Sequence, residues 1–155
     1  MVDADERGSL GACLDYLRSC VVAKLAGVDE GAAARPQVPS GTSLHWLAQH
    51  LTAVEIQQFQ RVLAGRPAGE IVPPPPRPLP DDSVALALAR YETACAESRT
   101  IVAGCPDLGR RAAGRDRHGE QPTVRWVLLN AIQETARHAG HIDILREQVD
   151  GATGR

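Results

Sequence analysis

The sequence predicts an all-α protein, an antiparallel four-helix bundle that forms one domain over residues 1–155. Three observations carry that expectation. Apolar residues recur at helical spacing in four segments, Pro/Gly-rich breaks separate the segments, and no stretch alternates with the period of two that a strand shows. Helices of about 20 residues span about 30 Å and can bury a common core.

The first helix is expected from about Ala4 to Ala26, with Leu10, Cys13, Leu14, Leu17, Val21 and Leu25 on one face and Gly27 as its stop. "RPQVPSGTS" then breaks the chain, because Pro36 and Pro39 cannot continue a helix. Ser40, Thr42 or Ser43 can cap a second helix that runs to about Ala64, with Leu44, Leu47, Leu51, Val54 and Val62 on its apolar side. "RPAGEIVPPPPRPLPDD" favours an extended, solvated connection, long enough to cross over between the second and third helices instead of forming a tight hairpin.

A third, alanine-rich helix is expected over about Asp82 to Ala103, after an Asp81/Asp82/Ser83 cap, with Leu86, Leu88, Ala89, Ala94 and Ile101 on its weakly apolar side. A charged loop, "GCPDLGRRAAGRDRHGEQP", follows. Pro122 and Thr123 then open the longest helix, about Val124 to Val149, which stops at Gly151.

Composition narrows the classes of function. A formal charge of −2, no basic block and only 3% aromatic residues leave no electrostatic footprint for nucleic acid. The start "MVDADERGSL" is acidic and polar rather than a basic region followed by an apolar run, and no run of apolar residues is long enough to span a membrane, so a cytoplasmic protein without a membrane partner is expected. Cys13, Cys20, Cys95 and Cys105 lack CxxC spacing and are too few for a disulfide scaffold. Cys13 and Cys20 are expected to sit in the core as small apolar residues.

The unusual feature is "QETARHAGHIDILREQ", in which Glu134, His138 and His141 follow one another at intervals of four and three. At about 100° per residue all three share one stripe of the last helix. Val127, Ala131 and Leu145 continue that stripe, while Gln133, Arg137 and Arg146 lie on the other side. Metal-capable side chains thus stand where apolar ones would pack. A carboxylate and an imidazole at this spacing can hold one cation from a single helix face and leave room for a ligand from a facing helix. In "SLHWLAQHLTAVE" that ligand is His50, on the side of Leu47, Leu51 and Val54; His45 points elsewhere and is expected at the surface. Each residue alone could be a hydrogen-bonded core group. Burying His50, Glu134, His138 and His141 together is costly unless something shared compensates them.

"VPSGTSLHWLAQHLTAVE", "RYETACAESRTIVA" and above all "TVRWVLLNAIQETARHAGHIDILREQVDGATG" resemble, in this order, the DinB-like superfamily, and within it the mycothiol-transferase-like branch. The resemblance covers nearly the whole chain. It implies a four-helix bundle that holds a divalent metal, commonly zinc or nickel, with one ligand from the second helix and two from the fourth. It further implies a low-molecular-weight thiol as co-substrate, since relatives include bacillithiol transferases and the mycothiol-dependent maleylpyruvate isomerase. His50 matches the second-helix ligand, His138 the later fourth-helix ligand, and Glu134 stands where many relatives have His and the isomerase has Glu. His141 would replace Glu134, add a ligand, or carry a proton beside the metal. Asn130 stands one turn before Glu134, where close relatives are expected to carry His, and "VEIQQFQRV" is poorer in aromatics than usual.

A thiol transferase would use the cation to lower the pKa of a bound thiol, and whichever of His141 or Glu134 is not a ligand would act as general base. The same open site would suit metal-assisted hydrolysis. A third reading, from another class, is a non-catalytic metal-binding homodimer joined through the first and third helices. Arg110, Arg111, Arg115 and Arg117 are expected to form a solvated loop, with the capacity to hold a carboxylate or a sugar-linked thiol if that loop lies at the metal-bearing end.

Overall fold

A computed structural model describes residues 5–71 and 82–153. Each long helix starts where a short polar side chain accepts from an otherwise orphaned backbone N–H. Asp5 accepts from Gly8 and opens α1 (Glu6–Leu25), Ser43 accepts from Trp46 and opens α3 (Leu44–Glu55), Ser83 accepts from Leu86 and opens α4 (Val84–Ala103), and Thr123 accepts from Trp126 and opens α5 (Val124–Asp150). Gly151, with φ 74°, closes α5 in a left-handed turn that a side chain would strain. The described residues contain no strand, only an isolated bridge between Arg111 and Thr123.

A short helix that the sequence did not announce, α2 (Glu30–Ala34), follows α1. Asp29 caps it, and the Glu30 carboxylate in turn accepts from Val84 N at 2.6 Å, tying α2 to the start of α4. The second expected helix does reach Leu63, but its backbone widens at Ile56 into a π-helical segment, Ile56–Leu63. Its last turn closes from Ala64 N to Phe59 O. The carbonyls of Val62 and Leu63 receive the N–H groups of Gly114 and Ala113 instead, so the loop before α5 is pinned to the end of the π-segment. Gly114 has to be glycine there: a Cβ would stand 2.1 Å from the Arg61 carbonyl oxygen.

Helix α1 packs on α5 and α4, and α3 packs on α4, α5 and α2. One core cluster joins Val21, Leu25, Leu47, Leu51, Tyr91 and Ile142; a second joins Leu14, Phe59, Val62, Val127, Leu128 and Ala131. Helix α4 presents only part of the expected face: Ala94 is buried and Leu88 and Ile101 pack partly buried against the core, but Leu86 and Ala89 are exposed. Val84, Ala87, Tyr91, Ala94, Cys95 and Ser98 are buried, whereas Leu86 is 42% exposed. On so alanine-rich a helix, the large Tyr91 sets the rotation more than the scattered leucines do. Cys13 and Cys20 are half-buried, not core residues, while Arg18 and Lys24 on the same helix are buried. The expected Pro-rich crossover falls mainly on residues 72–81, outside the described residues. No described helix is long and apolar enough to cross a membrane.

Candidate metal centre

The buried stripe of α5 runs through Val127, Ala131, Thr135, Ile142 and Leu145. Glu134 and His138 lie half-buried on its shoulder, facing α3, and His141 lies one step further round, exposed. From α3, half-buried His50 meets them. His50 Nε2 is 3.0 Å from His138 Nε2, and Glu134 Oε2 is 3.5 Å from the same His138 nitrogen. His50, Glu134 and His138 each offer a ligand atom, and these atoms all lie within 4.8 Å of one another. The sequence left the completing residue open between Glu134 and His141; the group that forms contains Glu134 and not His141. The Nδ1 of His141 makes a long contact, 3.4 Å, with His138 Nδ1, on the side of that ring away from His50.

Burial lowers the pKa of His50. His138 falls to about 4, through burial first and then the neighbouring His50. Both imidazoles are therefore neutral near pH 7, each with one unprotonated ring nitrogen that a cation could take, and without a cation their Nε2 atoms share one hydrogen bond whose direction follows the tautomers. The donor set fits one. Two nitrogens bound to a common tetrahedral zinc, each about 2.0–2.1 Å from it, stand about 3.3 Å apart, close to the gap seen here. Glu134 supplies a negative charge that a cation would share, and its Oε1 receives Arg137 at 3.3 Å.

The sequence model of the Mycothiol-S-transferase family matches residues 9–151. The chain belongs to that family. A search of curated proteins finds no match.

The matched span of this mycothiol S-transferase family member includes the three clustered residues and a pocket of about 460 Å³ beside them. His50 and Glu134 form one wall of the pocket. Gln57 of the π-segment, Asn130 and Trp126 of α5, and Arg117 of the pinned loop line the rest. Of the four loop arginines, only Arg117 is among the described lining residues; Arg111 and Arg115 donate to the carbonyls of Gln121 and Gly119. His118 also lines the pocket, and its Nε2 accepts from Arg117 Nε at 3.1 Å. Asp116 braces this corner by accepting from the backbone of His118 and Glu120, bonds that hold its carboxyl below the usual carboxylate range.

Two positions differ from the sequence reading. His45, expected at the surface, is 1% exposed, because the side of α3 opposite His50 faces α4 and α2 rather than solvent; burial lowers its pKa. Trp46, which no motif marked, stacks on His50, and its place one turn before that histidine is the signal that would have found it. No cysteine lines the pocket among the described residues. Cys95 is buried and its thiol is pushed up to about 12, chiefly by burial, so it is no nucleophile near neutral pH.

Proposed function

We propose that this chain is a metal-dependent thiol S-transferase that joins a mycothiol-type thiol to a small electrophile. The reading rests on one observation: a mycothiol S-transferase family member brings two neutral imidazoles and a carboxylate together, with His50 and Glu134 in the wall of a pocket large enough for a small-molecule ligand. His50, Glu134 and His138 would hold the cation, and a His₂/carboxylate set suits zinc or nickel. Such a cation would supply Lewis acidity that lowers a thiol's pKa, giving a thiolate at neutral pH.

The chain's own residues then have separable tasks. His50 and His138 stay neutral and present Nε2, and Glu134 adds charge. His141, on the far side of His138 from His50, orients that ring in place of taking the thiol proton, which leaves through the solvent-facing rim formed by Arg117 and His118. Gln57, Asn130 and Trp126 would hold the reactants against the cation side. The scaffold fits this reading as an antiparallel four-helix bundle built from α1, α3, α4 and α5, in a cytoplasmic protein.

The test is direct. Metal analysis of the purified protein is expected to find one divalent cation per chain, and the loaded protein is expected to conjugate mycothiol to a fluorogenic electrophile. His138→Ala should lose both. A metal-free protein that zinc and nickel both fail to reconstitute, or conjugation equally fast in His138→Ala, would overturn the reading.

A further inference from the structure

Trp46 lies one helical turn before His50 on α3. Its ring covers the His50 imidazole face to face, with centroids 4.9 Å apart and planes 11° from parallel. The edge of the same imidazole meets the His138 ring at 4.5 Å and 70°. His50 is thus gripped on a face by an indole and at its Nε2 edge by the neighbouring histidine. The indole is itself anchored, since its residue's N–H donates to Ser43 Oγ and its ring packs against the core cluster that contains Leu47 and Ile142.

That grip matters because the outer torsion of a histidine side chain is broad and nearly two-fold. An imidazole without a support turns freely and presents its two nitrogens in several directions. Stacking on Trp46 fixes the plane of the ring, and within that plane the 3.0 Å contact with His138 selects the flip that aims Nε2 at His138 and Glu134. Trp46 is not among the described residues lining the pocket, so the stack supports one face of His50 without occupying the space where reactants would enter.

We propose that Trp46 is a positioning residue for the cation site: its stacked indole fixes the plane in which the His50 imidazole ligates, and the indole thereby also reports occupancy of the site. The proposal rests on the metal reading above. Atoms beyond the ligands that orient them commonly contribute 10–100-fold in metal affinity, an effect of the size expected here.

The experiment uses the full chain. It carries two tryptophans, so Trp126→Phe leaves Trp46 as its single indole. In that background Ni²⁺ is expected to quench the emission in a titration that saturates at one equivalent, is reversed by a chelator and is absent in His50→Ala. Zinc affinity is then measured by competition with a chromophoric chelator. Trp46→Leu, which keeps apolar bulk without a stacking face, should bind about 10–100-fold more weakly. Trp46→Phe should stay within about threefold of the parent, because a stacking face remains. Val124→Ala, a core truncation remote from the site, serves as the control: it lowers the melting temperature yet should leave affinity unchanged. Wild-type affinity in Trp46→Leu, or an equal loss in Val124→Ala, would overturn the positioning role alone. A wild-type protein that binds no cation would overturn the metal reading and this inference with it.

Discussion

Helix α3 and its π-helical continuation carry two polar clusters that meet opposite fates. Around Glu55, at the end of α3, Arg18 of α1 donates from Nε at 2.9 Å and from a terminal nitrogen at 2.6 Å to the two carboxylate oxygens. Its other terminal nitrogen donates to Asp15 at 2.9 Å, and the guanidinium sits 5.5 Å over the Phe59 ring. Both side chains are almost wholly buried. Burial works against the charge on Arg18, but the bonds and charge of Glu55 outweigh it and hold the guanidinium firmly protonated. Around His50, five residues earlier, the groups are only half-buried, and two neutral imidazoles face each other beside a carboxylate whose cationic neighbour, Arg137, is exposed and reaches it only at 3.3 Å. One cluster is closed by its own bonds and serves the fold. The other is complementary to a cation and adjoins a pocket. Polar residues on a helix's inner face are thus sorted by whether the protein itself supplies every partner.

Breaking the closed cluster should have the largest effect on folding. Glu55→Ala leaves a buried guanidinium without its carboxylate and is expected to lower stability by about 3–5 kcal/mol in urea unfolding. The paired change Arg18→Met with Glu55→Leu should recover most of that loss, whereas a double variant as unstable as the single one would show that the pair is not the cause. The open cluster should respond the other way. His138→Ala removes a ligand outright and is expected to weaken divalent-cation binding by more than about 100-fold, more than about 2.7 kcal/mol, by calorimetry. Its melting temperature in chelator should match that of the wild type in chelator, and a large drop there would place this cluster with the closed one.

A smaller effect is expected at the seam that shapes the pocket. Gly114→Ala forces the loop away from the Arg61 carbonyl and should lower stability by about 1–3 kcal/mol, with weaker binding of any pocket ligand. Titration gives the smallest effect. The folded pKa of His138, about 4, lies below its ordinary value near 6.5, so the unfolded chain binds more protons between those values. The metal-free protein should lose stability as pH falls through that window, with His50 and His45, both lowered, acting in the same direction. His138→Gln should flatten the profile; an unchanged profile would remove His138 as a contributor.

Much of this was legible in one dimension. The helical spacing of apolar residues and the caps at Ser43, Ser83 and Thr123 placed three of the four long helices within a few residues, and α1 with them, because both signals are local. The same locality put Glu134 and His138 on one face and His50 on the inner side of its helix. Local pattern did not reach the rotation of α4, the π-segment at Ile56, the burial of His45 or the ion pair of Arg18 with Glu55, residues 37 positions apart.

Sequence by itself determined that this chain is all-helical, that its last helix carries ligand-type side chains at intervals of four and three, and that it resembles the mycothiol-transferase branch. Tertiary structure alone decided that the ligand atoms of Glu134, His50 and His138 come within 4.8 Å of one another while His141 stays exposed, and that an indole backs His50. Spacing within a helix fixes the angle of a side chain to about 100° per residue, but the face that becomes interior is chosen by the helices packed against it. On α5 that choice rotates the buried stripe toward Thr135 and Ile142, which leaves Glu134 at its shoulder and carries His141 out to solvent.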